Sequence, residues 1–182
     1  MFSSMKVFTT LSLLTFAAAN PTLLPRTCKP NFQGRPLTIY KQPEITDIGV
    51  YEWTPVNAVG GHISLVQEFD SFKKDEFIVE FTGTPTNTYQ IKMVADTAHK
   101  LALTAGANGD LAFSVATSEV SASQEFAISC DVCATDEGRG ENCVISHPAS
   151  NTCVSGSKPG QTLVLAACDG SENQTYNLWE GI

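Results

Sequence analysis

The sequence predicts an all-β fold, and two features of the chain carry that prediction. Apolar and polar residues alternate over short stretches, which is typical of strands with one buried face. Clear examples are residues 37–40, 89–94, 111–115 and 162–165. Helix signals are scarce, and turn dipeptides separate the stretches as β-hairpins require, at Gly60-Gly61, Asn108-Gly109 and Pro159-Gly160.

The turns recur at a regular interval along the chain. Their glycines, which lie 48 and 51 residues apart, are Gly61, Gly109 and Gly160. An aromatic residue follows each glycine by 16 or 17 residues and opens a further strand. These aromatics, 49 and 50 residues apart, are Phe77, Phe126 and Tyr176. Two landmarks that keep one period three times predict an internal triplication.

Each repeat also contains two strands before its turn, which gives twelve strands in three units of about 50 residues, at about 31–82, 83–131 and 132–182. A β-trefoil uses this arrangement, with six strands in a closed barrel and three hairpins over one end. One unit could not bury its apolar face alone, so the three must fold together. The alternative is a β-sandwich, which has many short strands but predicts no threefold repeat.

Composition sets the size of the domain and excludes several classes of protein. The 182 residues are 42% hydrophobic and 16% charged, which suits one domain with a substantial core and excludes a disordered chain or a coiled-coil rod. The net charge is −8, from 19 acidic and 11 basic residues. Because nucleic-acid binding rests on Lys and Arg, the sequence predicts no nucleic-acid partner.

Residues 1–19 have the pattern of a secretory signal peptide. Lys6 precedes the apolar stretch 7–17, and the alanines at 17–19 form a cleavage signal. Residues 20–27 are predicted to be a short pro-segment, which leaves 28–182 as a single domain. A buried N-terminal helix is the alternative for the first segment. No stretch is long and apolar enough to span a bilayer, so we expect a secreted, extracellular protein without membrane insertion.

Six cysteines follow the predicted signal peptide, and an even number in a secreted chain predicts three disulfides. They are Cys28, Cys130, Cys133, Cys143, Cys153 and Cys168. Their number alone leaves 15 pairings open. The C-x-x-C at Cys130 and Cys133 also occurs in zinc and redox sites. An oxidising compartment favours disulfides over thiolate ligands, so the sequence predicts no metal site here.

Motifs for catalysis are absent from the sequence. None of the three histidines (His62, His99 and His147) belongs to an H-E-x-x-H motif, and neither a G-x-S-x-G elbow nor a P-loop occurs. Ser-His-Asp triads can assemble from distant positions, so catalysis is disfavoured rather than excluded. We expect no enzymatic activity and no cofactor.

The residues before the repeated aromatics resemble a known family. The third unit reads Asn173-Gln174-Thr-Tyr176 after Cys153 and Cys168, and the second reads Gln124-Glu-Phe126. This pattern is similar to the ricin B-chain-type β-trefoil lectins, or carbohydrate-binding module family 13, whose units carry Gln-x-Trp near the last strand. The first unit departs from it with Asp75-Glu-Phe77. From 28–34 onward the chain also looks like small secreted fungal proteins with this domain, and the resemblance covers about 28–182.

The resemblance implies a non-catalytic lectin-like protein whose partners are glycans or glycoproteins. In the family, a sugar is held by an Asp, a stacking aromatic and an Asn. Here the Asp positions hold Ser155 and about Thr104, and the aromatic position holds Ala166. The usual pockets are therefore degraded. Asn173 and Asp169, with Gln174, are the candidate sugar-binding residues that remain in the third unit.

Two further features bear on the candidate site. Tyr51 and Trp53 share a strand face, so Trp53 is a candidate stacking platform beside Glu52, and the alternative is a half-buried strand pair. Asn173-Gln174-Thr175 is also a sequon for N-glycosylation at Asn173. The repeated aromatics are expected to fill the core rather than to bind sugar.

The resemblance also implies a set of disulfides. Cys153 with Cys168 matches the bridge within a unit of the family. Cys133 with Cys143 would then close the polar loop 134–142, which looks like an insertion, and Cys28 with Cys130 would tie the N-terminal arm to the second unit.

A different function class stays open beside the lectin. β-Trefoils also act as protease inhibitors, by inserting an exposed loop into a protease cleft. The segments 54–60 and 134–142 are the candidate loops, and ordinary solvated connections are the alternative. The sequence sets neither the sugar nor the oligomeric state.

Overall fold

The structure is a computed structural model that describes residues 28–32, 34–41, 49–68, 76–83, 88–95, 98, 100–117, 119–134 and 138–180. Within these ranges the chain forms thirteen strands and two 3-10 turns, at Ala122–Gln124 and Glu172–Gln174. The all-β class is therefore confirmed. The predicted signal peptide 1–19 and pro-segment 20–27 lie outside the described residues.

The strands follow the chain in regular succession. They are β1 (Pro36–Lys41), β2 (Val50–Pro55), β3 (Ile63–Glu68), β4 (Phe77–Phe81), β5 (Thr88–Met93), β6 (Leu101–Ala105), β7 (Leu111–Val115), β8 (Phe126–Ser129), β9 (Val132–Ala134), β10 (Arg139–His147), β11 (Thr152–Ser155), β12 (Val164–Ala167) and β13 (Tyr176–Trp179). Twelve strands were expected, and the additional one is β9. It pairs with the start of β10, so much of the predicted loop 134–142 belongs to a hairpin.

Six strands pair in a closed antiparallel ring. The order is β1, β4, β5, β8, β10 and β13, and β13 returns to β1. Closure leaves no unpaired edge in the ring, which protects a chain of short strands from edge-to-edge association. Six of the seven remaining strands form three hairpins, β2–β3, β6–β7 and β11–β12.

The three hairpins contact one another in a cycle. Backbone bridges join His62 to Ala112 in the first and second hairpins, Asp110 to Val164 in the second and third, and Ser64 to Thr162 in the first and third. The turn glycines with positive φ are Gly60 (79°), Gly109 (81°) and Gly160 (78°). In the first turn the repeated glycine is thus Gly60, one residue before the Gly61 of the sequence pattern, because Gly60 takes the left-handed conformation that favours glycine.

The repeated aromatics meet in the core, as expected. Phe77, Phe126 and Tyr176 are all fully buried, each at the start of a barrel strand. Burying a side chain of this size contributes about 2–3 kcal/mol through the hydrophobic effect. The hairpins add Ile63, Leu111 and Leu163, also fully buried, so the core is continuous between the ring and the hairpins.

Three disulfides are present, and only one of the expected pairings is confirmed. Cys153 is bonded to Cys168. The pairings Cys133–Cys143 and Cys28–Cys130 are wrong, since the bonds are Cys28–Cys133 and Cys130–Cys143.

The reason for the wrong pairings is the register of one antiparallel ladder. The segment 126–134 runs along β10 with Ser129 opposite Val144, which places Cys130 opposite Cys143. The same register places Gly140, not Cys143, opposite Cys133. Cys133 therefore remains for Cys28, whose backbone already pairs with Cys130. Disulfides fit an oxidising environment such as the extracellular space.

In the part of the chain that the structure describes, no helix has the length and apolar character needed to cross a membrane.

Candidate functional site

In the third unit, a buried side chain holds an exposed loop in place. The loop joins β12 to β13 and contains Asp169 and the 3-10 turn Glu172–Gln174. Gln174 is only 1% exposed. Its Nε2 donates to the Ala167 carbonyl at 2.7 Å, and its Oε1 accepts from the Asp169 N–H at 3.0 Å. Because both ends of the amide bind backbone groups, Gln174 fixes the path of the loop.

This position corrects the predicted role of Gln174 as a sugar-binding residue. A side chain that is buried and hydrogen-bonded to the backbone at both ends of its amide offers no surface to a ligand. Gln174 instead holds the residues around it, which are exposed.

Asp169 and Asn173 both lie on the exposed side of this loop. The Ser171 N–H donates to Oδ1 of Asp169 at 2.9 Å. Hydrogen bonds from the backbone and hydroxyl of Ser171 lower the pKa of Asp169, because they stabilise the carboxylate. The Asn173 carbonyl accepts from Gly156 N–H and from the Tyr176 hydroxyl, both at 3.0 Å. The structure thus places a carboxylate and an amide as exposed residues of one loop, with polar groups that suit sugar hydroxyls.

In the second unit, the buried Gln124 makes hydrogen bonds like those of Gln174, but the exposed residues around it are different. Nε2 of Gln124 donates to Ser114 Oγ at 2.9 Å and to the Val115 carbonyl at 3.1 Å, and also contacts Thr104 Oγ1 at 3.2 Å. Its Oε1 accepts from the N–H of Thr117, which stands where Asp169 stands in the third unit.

Only the third unit therefore combines an acid with an exposed amide in the segments described. The turn position of Asn173 is held in the second unit by Ser123. In the first unit the corresponding segment, 69–75, falls outside the described residues.

The strands beside the third-unit loop are β11 and β12, and they carry small or aliphatic side chains. Cys153 is paired with Ala166, and Ser155 with Val164, on β11 and β12. Ser155 and Ala166 are half-buried. No aromatic ring of these two strands is available for stacking, so binding here would depend on hydrogen bonds.

Trp53 is not a stacking platform, and that prediction is wrong. Its side chain is fully buried, with its ring in edge-on contact with Phe77 at 6.0 Å and Tyr176 at 5.0 Å between centroids. The neighbouring Glu52 is also buried, and accepts a hydrogen bond from Thr38. The strand face shared by Tyr51 and Trp53 points to the core, because β2 is packed against the aromatics of two units.

A cleft that the sequence analysis missed lies beside the N-terminal arm, residues 28–32. It has a volume of about 340 Å³ and is lined by Lys29, Pro30, Asn31, Phe81 and Tyr89. Phe81 is 54% exposed at the end of β4. Local pattern could not reveal this exposure, because Phe81 has the same strand parity as the buried Phe77 and Val79.

The two described histidines, His62 and His147, make hydrogen bonds within the fold. His147 is buried, and its Nε2 lies 2.9 Å from the Ala122 carbonyl, an acceptor, so Nε2 carries the donated hydrogen. Its Nδ1 lies 2.8 Å from Ser150 Oγ. His62 Nδ1 contacts the Leu111 carbonyl at 3.1 Å, and His99 is outside the described residues. Among the residues with described positions, no group of three or more His, Cys, Asp or Glu side chains could hold a metal ion.

Comparisons with known proteins bear on the fold. No protein-family model matches the chain, and no curated protein matches it in sequence. A mosquitocidal holotoxin is similar in structure, with a TM-score of 0.61 and 13% identity. The match covers 81% of this chain but only 17% of the holotoxin, so this chain spans about a sixth of that protein.

Two further solved structures match over nearly their whole length. ThreeFoil, a designed 3-fold symmetric protein, has a TM-score of 0.56 and 10% identity, over 80% of this chain and 99% of its own. A Caenorhabditis elegans protein of unknown function has a TM-score of 0.54 and 10% identity, over 81% and 95%. At these identities the likeness concerns the fold alone. Together with the ring of six strands and the cycle of three hairpins, it shows a β-trefoil-like fold.

Proposed function

We propose that this chain is a secreted, non-catalytic carbohydrate-binding protein, a β-trefoil of the ricin-B lectin type with three units of about 50 residues. The observation that carries the proposal is the third-unit loop, where Asp169 and Asn173 are exposed above the buried Gln174. The likeness to ThreeFoil supports the trefoil. The three disulfides and the signal-like segment 1–19 support secretion.

Recognition in this proposal is shallow and depends on a few hydrogen bonds. The Asp169 carboxylate, held ionised by its bonds to Ser171, accepts from neighbouring sugar hydroxyls. The Asn173 amide donates to a ring or hydroxyl oxygen and accepts from another hydroxyl. The backbone under both residues is already fixed by Gln174, Gly156 and Tyr176, so little loop ordering opposes binding.

The sequon at Asn173 competes with this role. An N-linked glycan on Asn173 would occupy the amide and cover Asp169. The binding form therefore carries Asn173 unmodified.

The test is a glycan array with the mature protein and four variants. Asn173→Ala and Asp169→Asn are expected to lower retention of the bound glycan about tenfold, the effect of one lost hydrogen bond to the ligand. Ser123→Ala is the matched control in the second unit, and should leave retention unchanged. Thr175→Ala removes the sequon but keeps Asn173, and should preserve or raise retention. Unchanged retention by Asn173→Ala would contradict the assignment.

A second candidate function is protease inhibition, supported by the loop 56–60. Val56 and Val59 are 57% and 67% exposed on this loop. The loop is rigid, because Val56 N–H donates to the His62 carbonyl at 3.0 Å and Gly60 N–H to the Phe113 carbonyl at 2.7 Å. A pre-organised exposed apolar segment is suited to insertion into a protein cleft. A panel of secreted proteases, with Val59→Asp as the variant, tests it: inhibition that this variant abolishes supports it, and no inhibition contradicts it.

A further inference from the structure

We infer that the cleft beside the N-terminal arm is a second binding site, for an acidic sugar, that is, a pyranose that carries a carboxylate. The cleft lies between the arm 28–32 and the facing ends of β4 and β5, and shares no lining residue with the third-unit loop. The inference therefore does not depend on the sugar-binding role of Asp169 and Asn173, and it can be tested separately.

The arm that forms one wall of the cleft is anchored at Cys28 and at Pro30. Cys28 is bonded to Cys133, and its backbone pairs with Cys130 through hydrogen bonds of 3.2 and 3.0 Å. The buried Tyr89 donates its hydroxyl to the Pro30 carbonyl at 2.7 Å. These contacts fix the arm against β5 without a ligand, so the cleft is pre-formed, as small-molecule sites usually are.

The opposite wall presents an aromatic ring. Phe81 packs edge-on against Tyr89, with ring centroids 5.9 Å apart and an interplanar angle of 69°. More than half of the Phe81 side chain is nevertheless exposed. The face of an aromatic ring carries partial negative charge and attracts the C–H bonds on the apolar side of a pyranose. An exposed phenylalanine held in one orientation inside a cleft is suited to that stacking.

The charge of the cleft selects an anion. Among the described residues that line it, Lys29 is the charged one, and it is exposed in a protein whose net charge is −8. Glu80, next to Phe81 in the chain, is paired with Lys92 at 2.6 Å, so its charge is compensated. A cation in such a cleft attracts carboxylates and repels cationic ligands. The Lys29 ammonium supplies the charged contact that such a ligand needs.

The size of the cleft limits the ligand. A volume of about 340 Å³ is at the lower end of the range of about 300–1,000 Å³ for small-molecule sites. This suits one or two sugar rings, as a free saccharide or as the end of a glycan, and excludes a long chain enclosed over its whole length.

The experiment compares two probes that differ only in the carboxylate, methyl glucuronide and methyl glucoside, by NMR titration of the mature protein. Methyl glucuronide is expected to bind about tenfold more tightly. Phe81→Ala should abolish binding of both, and Lys29→Gln should remove the preference. Val115→Ala, which truncates an equally exposed side chain outside the cleft, should change nothing.

Two further measurements extend the experiment. One separates binding in this cleft from binding at the third-unit loop, and the other separates the terminus of a glycan from a free sugar as the ligand. Asn173→Ala should leave glucuronide binding unchanged, so failure of the third-unit proposal would not affect this one. Tighter binding of an oligosaccharide that ends in glucuronate would identify the terminus of a glycan as the ligand. Equal affinity for the two methyl glycosides, or full binding by Phe81→Ala, would overturn the inference.

Discussion

At the scale of single residues, the buried Gln124 and Gln174 hold the loops that precede β8 and β13. Gln124 and Gln174 follow the same rule: each precedes a core aromatic by two residues, and each satisfies backbone groups of the preceding loop. In these two motifs the glutamine thus holds a loop in place by hydrogen bonds to its backbone. In the proposed function, the exposed neighbours of Gln174 bind the sugar.

We predict that Gln124→Ala destabilises the protein by about 2–3 kcal/mol, because it leaves the buried Gln90 amide and the Ser114 and Thr104 hydroxyls without this partner. Urea unfolding followed by tryptophan fluorescence measures the change. Glu119→Gln, at an exposed position nearby, is the control and should stay within about 0.5 kcal/mol of the parent. A loss in Gln124→Ala no larger than in the control would contradict the role given to the clamp.

At the scale of elements, the ladder between 126–134 and β10 decides the disulfides. It brings Cys130 opposite Cys143 and leaves Cys133 for the N-terminal arm. Gly140 is part of the same packing, since a Cβ there would lie 2.9 Å from the Cys143 sulfur and 3.1 Å from the Cys130 sulfur. Disulfides therefore cross-link the arm to β9, and the end of β8 to β10.

We predict that a long-range disulfide and a local one differ in their contribution to stability. Cys28 and Cys133 are 105 residues apart, and Cys153 and Cys168 are 15 apart. Loop-closure entropy then gives about 4.7 kcal/mol for the first bond and about 3 kcal/mol for the second. Urea unfolding of two double variants, Cys28→Ser with Cys133→Ser and Cys153→Ser with Cys168→Ser, measures how much each bond adds to the free energy of unfolding. Non-reducing peptide mapping checks the bonds themselves, and a Cys28–Cys130 peptide would contradict the structure.

At the scale of the whole molecule, closure of the ring buries polar aromatic groups as well as apolar ones. Tyr40, Tyr89 and Tyr176 are all buried, and burial raises the pKa of each phenol because the ionised form loses its hydration. Tyr176 lies beside the core aromatics of the first unit, with its hydroxyl bonded to the Asn173 carbonyl. The Tyr176 side chain therefore links the core to the third-unit loop.

We predict that stability falls as the pH rises above about 10, the pKa of tyrosine in the unfolded chain. Below that pH the phenols are neutral in both states and do not change the stability. Above it the unfolded chain releases protons that the folded protein retains, so the free energy of unfolding decreases by up to about 1.4 kcal/mol per pH unit for each buried phenol. Tyr176→Phe should reduce this slope. Urea midpoints between about pH 8 and 11.5 measure it, on either side of that pKa, and a flat profile in the parent would contradict it.

Local pattern was sufficient for most strands. β7 has the predicted bounds 111–115, and the predicted stretches 37–40 and 89–94 fall on β1 and β5. It failed at β9 and the first part of β10, because residues 132–134 and 139–141 show no apolar–polar alternation although they pair in a backbone ladder. It failed for Trp53 because parity defines which residues share a face but not which face meets the core.

The sequence by itself determined the all-β class, the regular spacing of turns and aromatics, and the burial of those aromatics, because these follow from periodicity and from the size of apolar side chains. Tertiary structure alone decided which cysteines meet, which tryptophan is hidden and where a cleft opens. Each of these depends on the register and position of segments far apart in the chain, and on which end of a strand extends past its neighbours, a geometry that no local stretch of residues encodes.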